Sequence, residues 1–296
     1  MRYPITNPKK ILFPKSKITK EEFVNYYKKI AKWILPLVKG RPISLKRFPN
    51  GVKKEKFFQK KAMDYYPKWI KLATVKRKDQ PSIKMPLITN LDSLLYIANQ
   101  VGEIHIWLSR IDKPDIPDRL IFDLDPPKDG FSKIKEAAKD MKKLLADLKL
   151  PCFLMTSGSK GLHVVVPVKR QKTFREVKDF SKKVAKLLET KFPKKYTTIP
   201  GKGKRKGKVF IDYLRNESAQ TTIAPYSIRA LEHAPIAIPI EFNEISKINP
   251  QSFNIKNISK RKKNPFINLE AKAVSLKNAE KKLNKLLESY NDGLKK

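Results

Sequence analysis

Two aspartates two residues apart, Asp123 and Asp125, are the first residues here whose spacing suggests chemistry. They lie in RLIFDLD (119–125), which reads as a strand. Side chains at i and i+2 of a strand leave the same face, with Cα atoms about 6.5 Å apart. Leu120, Phe122 and Leu124 then cover the other face, and Pro126-Pro127 leaves the pair at an open sheet end. Two ionised carboxylates side by side repel unless a cation or an arginine lies between them. Solvated strand-end aspartates are the plain alternative. Asp is disfavoured in strands, however, and here it occurs twice beside a strongly apolar face. The pair points to a divalent metal. Asp212, in the otherwise apolar run VFIDYL (209–214) after a basic loop, is the natural third ligand. Three carboxylates can hold two Mg²⁺ or Mn²⁺ ions about 3.5–4 Å apart, clamping both oxygens in phosphoryl transfer.

The stretch TSGSKGLH (156–163) suits a phosphate. Gly158 and Gly161 permit close backbone approach, and Ser157, Ser159, Lys160 and His163 offer donors. It is not a Walker A loop, because GxxxxGK[ST] is absent, and an ordinary hairpin turn would favour the same glycines and serines. Further cations are Lys46 and Arg47, Arg205 within PGKGKRKGK (200–208), and Arg215 and Arg229, which flank NESAQTTIAPYS (216–227). Phe57 and Phe58 are adjacent, so on a strand they point to opposite faces. An exposed ring beside a basic groove is a base-stacking platform; a fully buried pair is the alternative.

The chain that must position these groups has 296 residues, 40% of them hydrophobic, enough for one large domain or two small ones. Its net charge of +38 attracts polyanions, nucleic acid first among them. Only 12 of the 66 basic residues are Arg, so each Arg more often answers a need for planar, bidentate contact. A single cysteine, Cys152, excludes a disulfide framework and a cysteine-based zinc site. No apolar run reaches membrane-spanning length, and the N-terminus lacks the apolar stretch of a signal peptide. A soluble, cytoplasmic protein with no membrane partner is expected.

Thr19 and Glu22 have capping-box spacing, followed by Phe23, Tyr26, Tyr27, Ile30 and Trp33 at helical period, and this helix should end by Gly40. A strand at ISLKRF (43–48) and an extended segment holding Phe57 and Phe58 follow. Residues 64–88 read as irregular and basic, and a helix runs from about Thr89 to Gly102. EIHIWL (103–108) and RLIFDLD are strands, and residues 132–149 form an amphipathic helix with Ser132 as N-cap. CFLMT and LHVVVPV pair around the SGSKG turn, Thr173 and Glu176 cap another helix, and a final helix follows the basic patch Lys260 to Lys263. Hairpin-joined strands interleaved with helices predict an α+β fold.

Taken in order, ITNPKKILFP, KGRPISLKRFPNGV, FFQK, GEIHIWLSRIDKPDIPDRLIFDLDPP, TSGSKGLHVVVP, GKVFIDYLRN and TTIAPYSIRA resemble the polymerase domain of bacterial ligase D and its stand-alone relatives, in the archaeo-eukaryotic primase superfamily. The resemblance runs from residue 5 to about 231 and is loose beyond 235. It implies one catalytic unit over 1–296, with a core at 5–231 and a basic, helical tail at 235–296. The implied fold is a mainly antiparallel catalytic sheet with flanking helices and an N-terminal α/β portion. The implied activity is template-directed gap filling and end extension in non-homologous end joining, with ribonucleotides preferred and Mn²⁺ or Mg²⁺ as a two-ion cofactor.

Carried over residue by residue, the resemblance makes Asp123, Asp125 and Asp212 metal-binding and catalytic. Ser157, Lys160, His163, Lys46, Arg47, Arg205, Arg215, Arg229 and His105 fall on the nucleotide side, with Arg215 standing where some relatives have Gln. Phe57 and Phe58 become stacking residues, and Lys10 and Lys20 a pocket for the 5′-phosphate across the gap. Implied partners are gapped or broken DNA, NTP or dNTP, Ku and an ATP-dependent DNA ligase, at the nucleoid.

Three rival readings compete with this one. A haloacid-dehalogenase-type phosphatase also uses a DxD pair, as nucleophile and acid, but usually follows it closely with Thr or Val and not with Pro126-Pro127. A Mn²⁺-dependent glycosyltransferase could use the Asp123/Asp125 pair but needs neither Phe57-Phe58 nor so large a positive charge. A non-catalytic DNA-binding module explains the charge and leaves three phosphate-repelling strand carboxylates without a purpose.

Overall fold

The computed structural model describes residues 3–77, 80–127 and 130–293. A short hairpin, β1 (Ile11–Phe13) and β2 (Ile18–Thr19), leads into α1 (Lys20–Lys29). Thr19 caps that helix as its spacing predicts, accepting from the Glu22 N–H while the Glu22 side chain accepts from the Thr19 N–H. The expected single helix to Gly40 breaks at Ile30, and α2 (Ala31–Val38) restarts one residue later. Next come β3 (Ile43–Arg47) and β4 (Phe57–Gln59).

Residues 64–88 depart from the irregular segment expected of them. They contain an antiparallel hairpin, β5 (Leu72–Arg77) and β6 (Gln80–Pro86). Its Ala73, Val75 and Met85 pack with Leu87 and Trp107 in a small separate core. Those apolar residues are few and interleaved with Lys and Thr, so the period-two signal is faint.

After α3 (Leu91–Asn99) the chain enters β7 (Gly102–Ile106) and β8 (Arg119–Asp125). Helix α4 (Phe131–Asp147) begins earlier than expected, with Gly130 and not Ser132 at its N-cap and no side-chain cap bond. A Cβ on Gly130 would meet the Pro127 ring at 2.6 Å, so the chain turns too tightly there for any other residue. The expected hairpin follows as β9 (Phe153–Thr156) and β10 (Leu162–Pro167), then α5 (Phe174–Lys191), with Thr173 and Glu176 forming the predicted capping box. The remaining elements are β11 (Tyr196–Thr197), β12 (Val209–Asp212), β13 (Thr222–Ile223), β14 (Pro239–Ile240) and α6 (Lys277–Gly293).

Two sheets organise the molecule. One has six strands in the order β11-β12-β8-β10-β9-β14, antiparallel except for the β11–β12 pair. The other has four antiparallel strands in the order β13-β7-β3-β4. Helices α4 and α5 pack on β8, and Leu120, Phe122 and Leu124 have no exposed surface. Burying such a side chain stabilises by roughly 1.5–3 kcal/mol. That apolar face anchors β8 and commits Asp123 and Asp125 to the opposite one. Among the described residues no helix is long and apolar enough to cross a membrane.

Candidate active site

Strand register brings the carboxylates together. In β12 and β8, Asp212 lies directly opposite Asp123, and in β10 His163 lies opposite Asp123 on the other side. Directly paired residues share a sheet face, so Asp212, Asp123 and His163 form a row across three strands, with Asp125 one step along. His163 Nε2 is 3.5 Å from Asp123 Oδ1. Arg215 spans the acidic row, its Nε 3.4 Å from Asp212 Oδ2 and 3.8 Å from Asp123 Oδ2. Arg205 Nη1 stands 3.5 Å from Asp125 Oδ2, with its guanidinium over the Phe210 ring at 4.2 Å.

Arg215 arrives by a local device. The next β12 partner of Ile121 would be residue 214, but the chain leaves the strand after Asp212. Asn216, fully buried, supplies the missing pairing: its side-chain amide accepts from Ile121 N at 2.8 Å and donates to Ile121 O at 2.7 Å. Leu214 N also donates to Asp212 Oδ1 at 2.8 Å, so the turn that presents Arg215 is tied to the carboxylate beneath it.

Burial dominates the electrostatics. It pushes Asp123 up to about 6; Arg215 opposes the shift and the Asp212 charge adds to it. Asp125 is raised by burial and by Asp123, and Asp212 by burial, with Arg215 opposing. Burial, then the charges of Arg229 and Arg215, depress His163 to about 3, so its imidazole is neutral at working pH. Three partly desolvated oxygen donors under-compensated by arginines at 3.4–3.8 Å form a donor set that fits a hard divalent cation such as Mg²⁺ or Mn²⁺. Among the described residues, no three His, Cys, Asp or Glu side chains already stand in ligating geometry, because Arg215 lies between Asp123 and Asp212.

A cavity of about 590 Å³ opens between the two sheets in front of this row. The six-stranded sheet contributes Asp123, Asp125 and His163; the four-stranded sheet contributes Lys46, Phe58, Glu103 and His105. Thr222 Oγ1 lies 3.5 Å from His163 Nδ1 and links the sheets. Ser157, Lys160, Arg215 and Arg229 close the rim. Gly161 of the SGSKG turn lines the cavity, and both glycines of that turn also meet a packing need. A Cβ on Gly161 would stand 2.7 Å from Leu124 O, and one on Gly158 (φ +67°) 2.7 Å from Ala237 N. They let the turn pack on protein backbone. The Ser157 hydroxyl shapes the same turn, accepting from Gly161 N at 3.0 Å and Ser159 N at 3.3 Å.

Not every expected residue reaches the cavity. Phe57 and Phe58 are both exposed on the edge strand β4, at 44% and 59%, so the buried-pair alternative fails. Phe58 lies opposite Lys46 and meets the His105 ring edge-on at 5.7 Å, facing the cavity. Phe57 lies opposite Arg47, whose guanidinium is 5.6 Å from its ring, and neither of these two lines the cavity. Arg47 instead bonds Gln100 O, Gln59 Oε1 and the Tyr65 hydroxyl. Lys20 Nζ donates to Thr6 Oγ1 at 2.7 Å and Lys10 Nζ to Asn50 Oδ1 at 2.8 Å. Burial, then the charges of Lys10 and Arg47, lower Lys20 to about 8, and none of the three lines the cavity. Glu103, Asn216 and Thr222 were missed; Glu103 carried the same signal as the aspartates, an ionisable residue at i, i+2 from His105 in an apolar strand.

A family model described as LigD, primase-polymerase domain, matches residues 19–266. The chain belongs to the LigD primase-polymerase family. That makes it a nucleotidyltransferase domain with the α+β primase-type fold. It is 37% identical over 249 residues to the multifunctional non-homologous end joining protein LigD of Mycolicibacterium smegmatis, covering 83% of this chain and 32% of that protein. It is 31% identical over 260 residues to the bifunctional non-homologous end joining protein LigD of Bacillus subtilis, covering 86% of this chain and 42% of that one. The chain thus spans about a third to two fifths of the LigD proteins it matches. The polymerase domain of Mycobacterium tuberculosis ligase D, solved in complex with DNA, superposes with a TM-score of 0.85 at 33% identity, covering 92% of this chain and 99% of that one.

Proposed function

We propose that this LigD-type domain adds nucleotides, ribonucleotides by preference, to a primer 3′-hydroxyl at gaps and DNA ends during double-strand break repair, with Ku and an ATP-dependent DNA ligase as partners. The observation that carries the reading is the register that sets Asp212, Asp123 and His163 in one row, of which Asp123 and His163, with Asp125, line a cation-rimmed cavity of about 590 Å³, a volume in the range of small-molecule sites. Asp123, Asp125 and Asp212 would hold the divalent ions, which when bound acidify the attacking hydroxyl and neutralise the leaving pyrophosphate. Lys46, Lys160 and Arg229, which line the cavity, would bind the phosphate chain, and neutral His163 would donate one N–H to it. Phe58 offers its exposed face to the incoming base, and the Lys10, Lys20 and Arg47 group would take the 5′-phosphate of the downstream strand. Primer extension on gapped DNA tests this, comparing 5′-phosphate with 5′-hydroxyl, NTP with dNTP, and Mn²⁺ with Mg²⁺. The expected result is metal-dependent, template-matched addition favouring NTP and the 5′-phosphate. Absence of templated addition with either metal refutes the proposal.

A further inference from the structure

Among the described residues, Glu103 is the one carboxylate that the four-stranded sheet presents to the cavity. It is 2% exposed. An acid at the mouth of a triphosphate site opposes the ligand, so its presence calls for a reason. Its Oε1 accepts from Ala230 N at 2.8 Å and pairs with Arg229 Nε at 3.3 Å; its Oε2 is 3.2 Å from His105 Nε2. Burial raises its pKa, but the His105 hydrogen bond and the Arg229 charge prevail and hold it at about 2, so it is ionised. A neutral acceptor would satisfy Ala230 N. The charge serves the other two partners.

Arg229 donates one side-chain hydrogen bond, from Nη1 to Ser157 O at 3.1 Å, and its buried Nε faces Glu103 Oε1 at 3.3 Å as an ion pair without hydrogen-bond alignment. Among the described residues its Nη2 has no partner. Burial lowers the His105 pKa, so the ring carries one proton. A carboxylate at Nε2 puts that proton on Nε2 and leaves Nδ1 as an acceptor.

We infer that Glu103 is a positioning residue of the nucleotide site, holding the Arg229 guanidinium at the cavity rim for the phosphate chain and fixing the tautomer of His105. This inference rests on the nucleotide reading of the cavity. It differs in sign from simple electrostatics. Removing a negative charge beside a polyanion site should tighten binding; removing a positioning residue should weaken it.

The test is calorimetric titration of the whole protein with a non-hydrolysable ATP analogue and Mg²⁺, alongside primer extension. Glu103→Gln keeps the acceptor for Ala230 N. It should weaken analogue binding by roughly tenfold or more, the scale of one lost charge-assisted contact. It should raise KM for NTP more than it lowers kcat, and leave affinity for gapped DNA unchanged. Glu103→Asp should recover part of the loss. Combined with Arg229→Ala, Glu103→Gln should add little beyond Arg229→Ala alone. Equal or tighter analogue binding by Glu103→Gln, or fully additive losses in the double variant, overturns the inference. If Glu103→Gln does not fold, Glu103→Asp decides: the shorter side chain should still weaken binding, and unchanged affinity overturns the inference. A wild-type protein that binds the analogue but extends no primer sinks the polymerase proposal and leaves the Glu103 comparison valid. A wild-type protein that binds no triphosphate sinks both.

Discussion

Gly161→Ala should separate catalysis from folding, because the residue wedges the phosphate turn against the strand of the carboxylates. The added Cβ would stand 2.7 Å from Leu124 O and 3.5 Å from Asp123 Oδ1. An ordinary carbon–oxygen contact is about 3.4 Å, within the normal range for packed heavy atoms, so turn and strand must part by roughly 0.7 Å. Neither side can yield as a flexible side chain would, since Leu124 O is backbone between Asp123 and Asp125. Gly161 N also donates to Ser157 Oγ, and Ser157 N donates to Gly161 O at 3.0 Å, so the displacement carries Ser157 and Lys160 with it. Overpacking of this kind costs about 1–3 kcal/mol of stability. A misplacement approaching 1 Å at a reacting site can cost up to about 100-fold in rate. The expected outcome in single-nucleotide gap filling is a kcat/KM for NTP lowered roughly 10- to 100-fold. The melting temperature should fall by only a few degrees, with gapped-DNA affinity unchanged. Gly203→Ala, where a Cβ meets nothing within 4 Å, is the matched control. A Gly161→Ala protein filling gaps at the wild-type rate would refute the claim that this turn needs close packing to place its donors.

Asp123→Asn should abolish extension yet raise the melting temperature in metal-free buffer. Its pKa rises from 3.8 to about 6 on folding, so the folded state binds the proton more tightly and the wild type loses stability as pH climbs from about 4 to 6; Mn²⁺ should restore that loss, and a pH-independent melting curve would contradict the assignment. Asn216→Ala strips both hydrogen bonds from Ile121 and should destabilise by about 2–6 kcal/mol, taking 1–3 per unsatisfied buried group; a melting temperature within one degree of wild type would mean that β8 does not need this pairing. Phe58→Ala should raise KM for NTP roughly 5- to 100-fold, the range for lost base stacking, whereas Phe57→Ala should leave it unchanged because Phe57 does not line the cavity; equal effects on KM would show that the two faces of β4 do not divide the work.

The sequence disclosed a site wherever its logic was local. Asp123 and Asp125 share a face by alternation alone, and the apolar residues between them say which face. Thr19 with Glu22, and Thr173 with Glu176, announce their helices because a capping box is written within four residues. Spacing alone supports Asp212 only weakly, and the resemblance assigned it, since what makes it a partner of Asp123 is the register of β12 on β8, across nearly ninety residues of chain. Asn216 left no trace for the same reason: an amide that stands in for a missing strand partner looks, in sequence, like any loop asparagine.

Arg47 marks a subtler loss. Lys46 and Arg47 are adjacent on a strand, as are Phe57 and Phe58, so alternation forbids both members of either pair from facing one cavity. The pairing of Lys46 with Phe58 and of Arg47 with Phe57 turns two ambiguous dipeptides into two surfaces of opposite use. One surface joins the carboxylate cavity, and the other gathers with Lys10 and Lys20. On the proposed function, the edge of the four-stranded sheet would hold a nucleotide on the Lys46–Phe58 side, with Arg47 on the other side near the strand end.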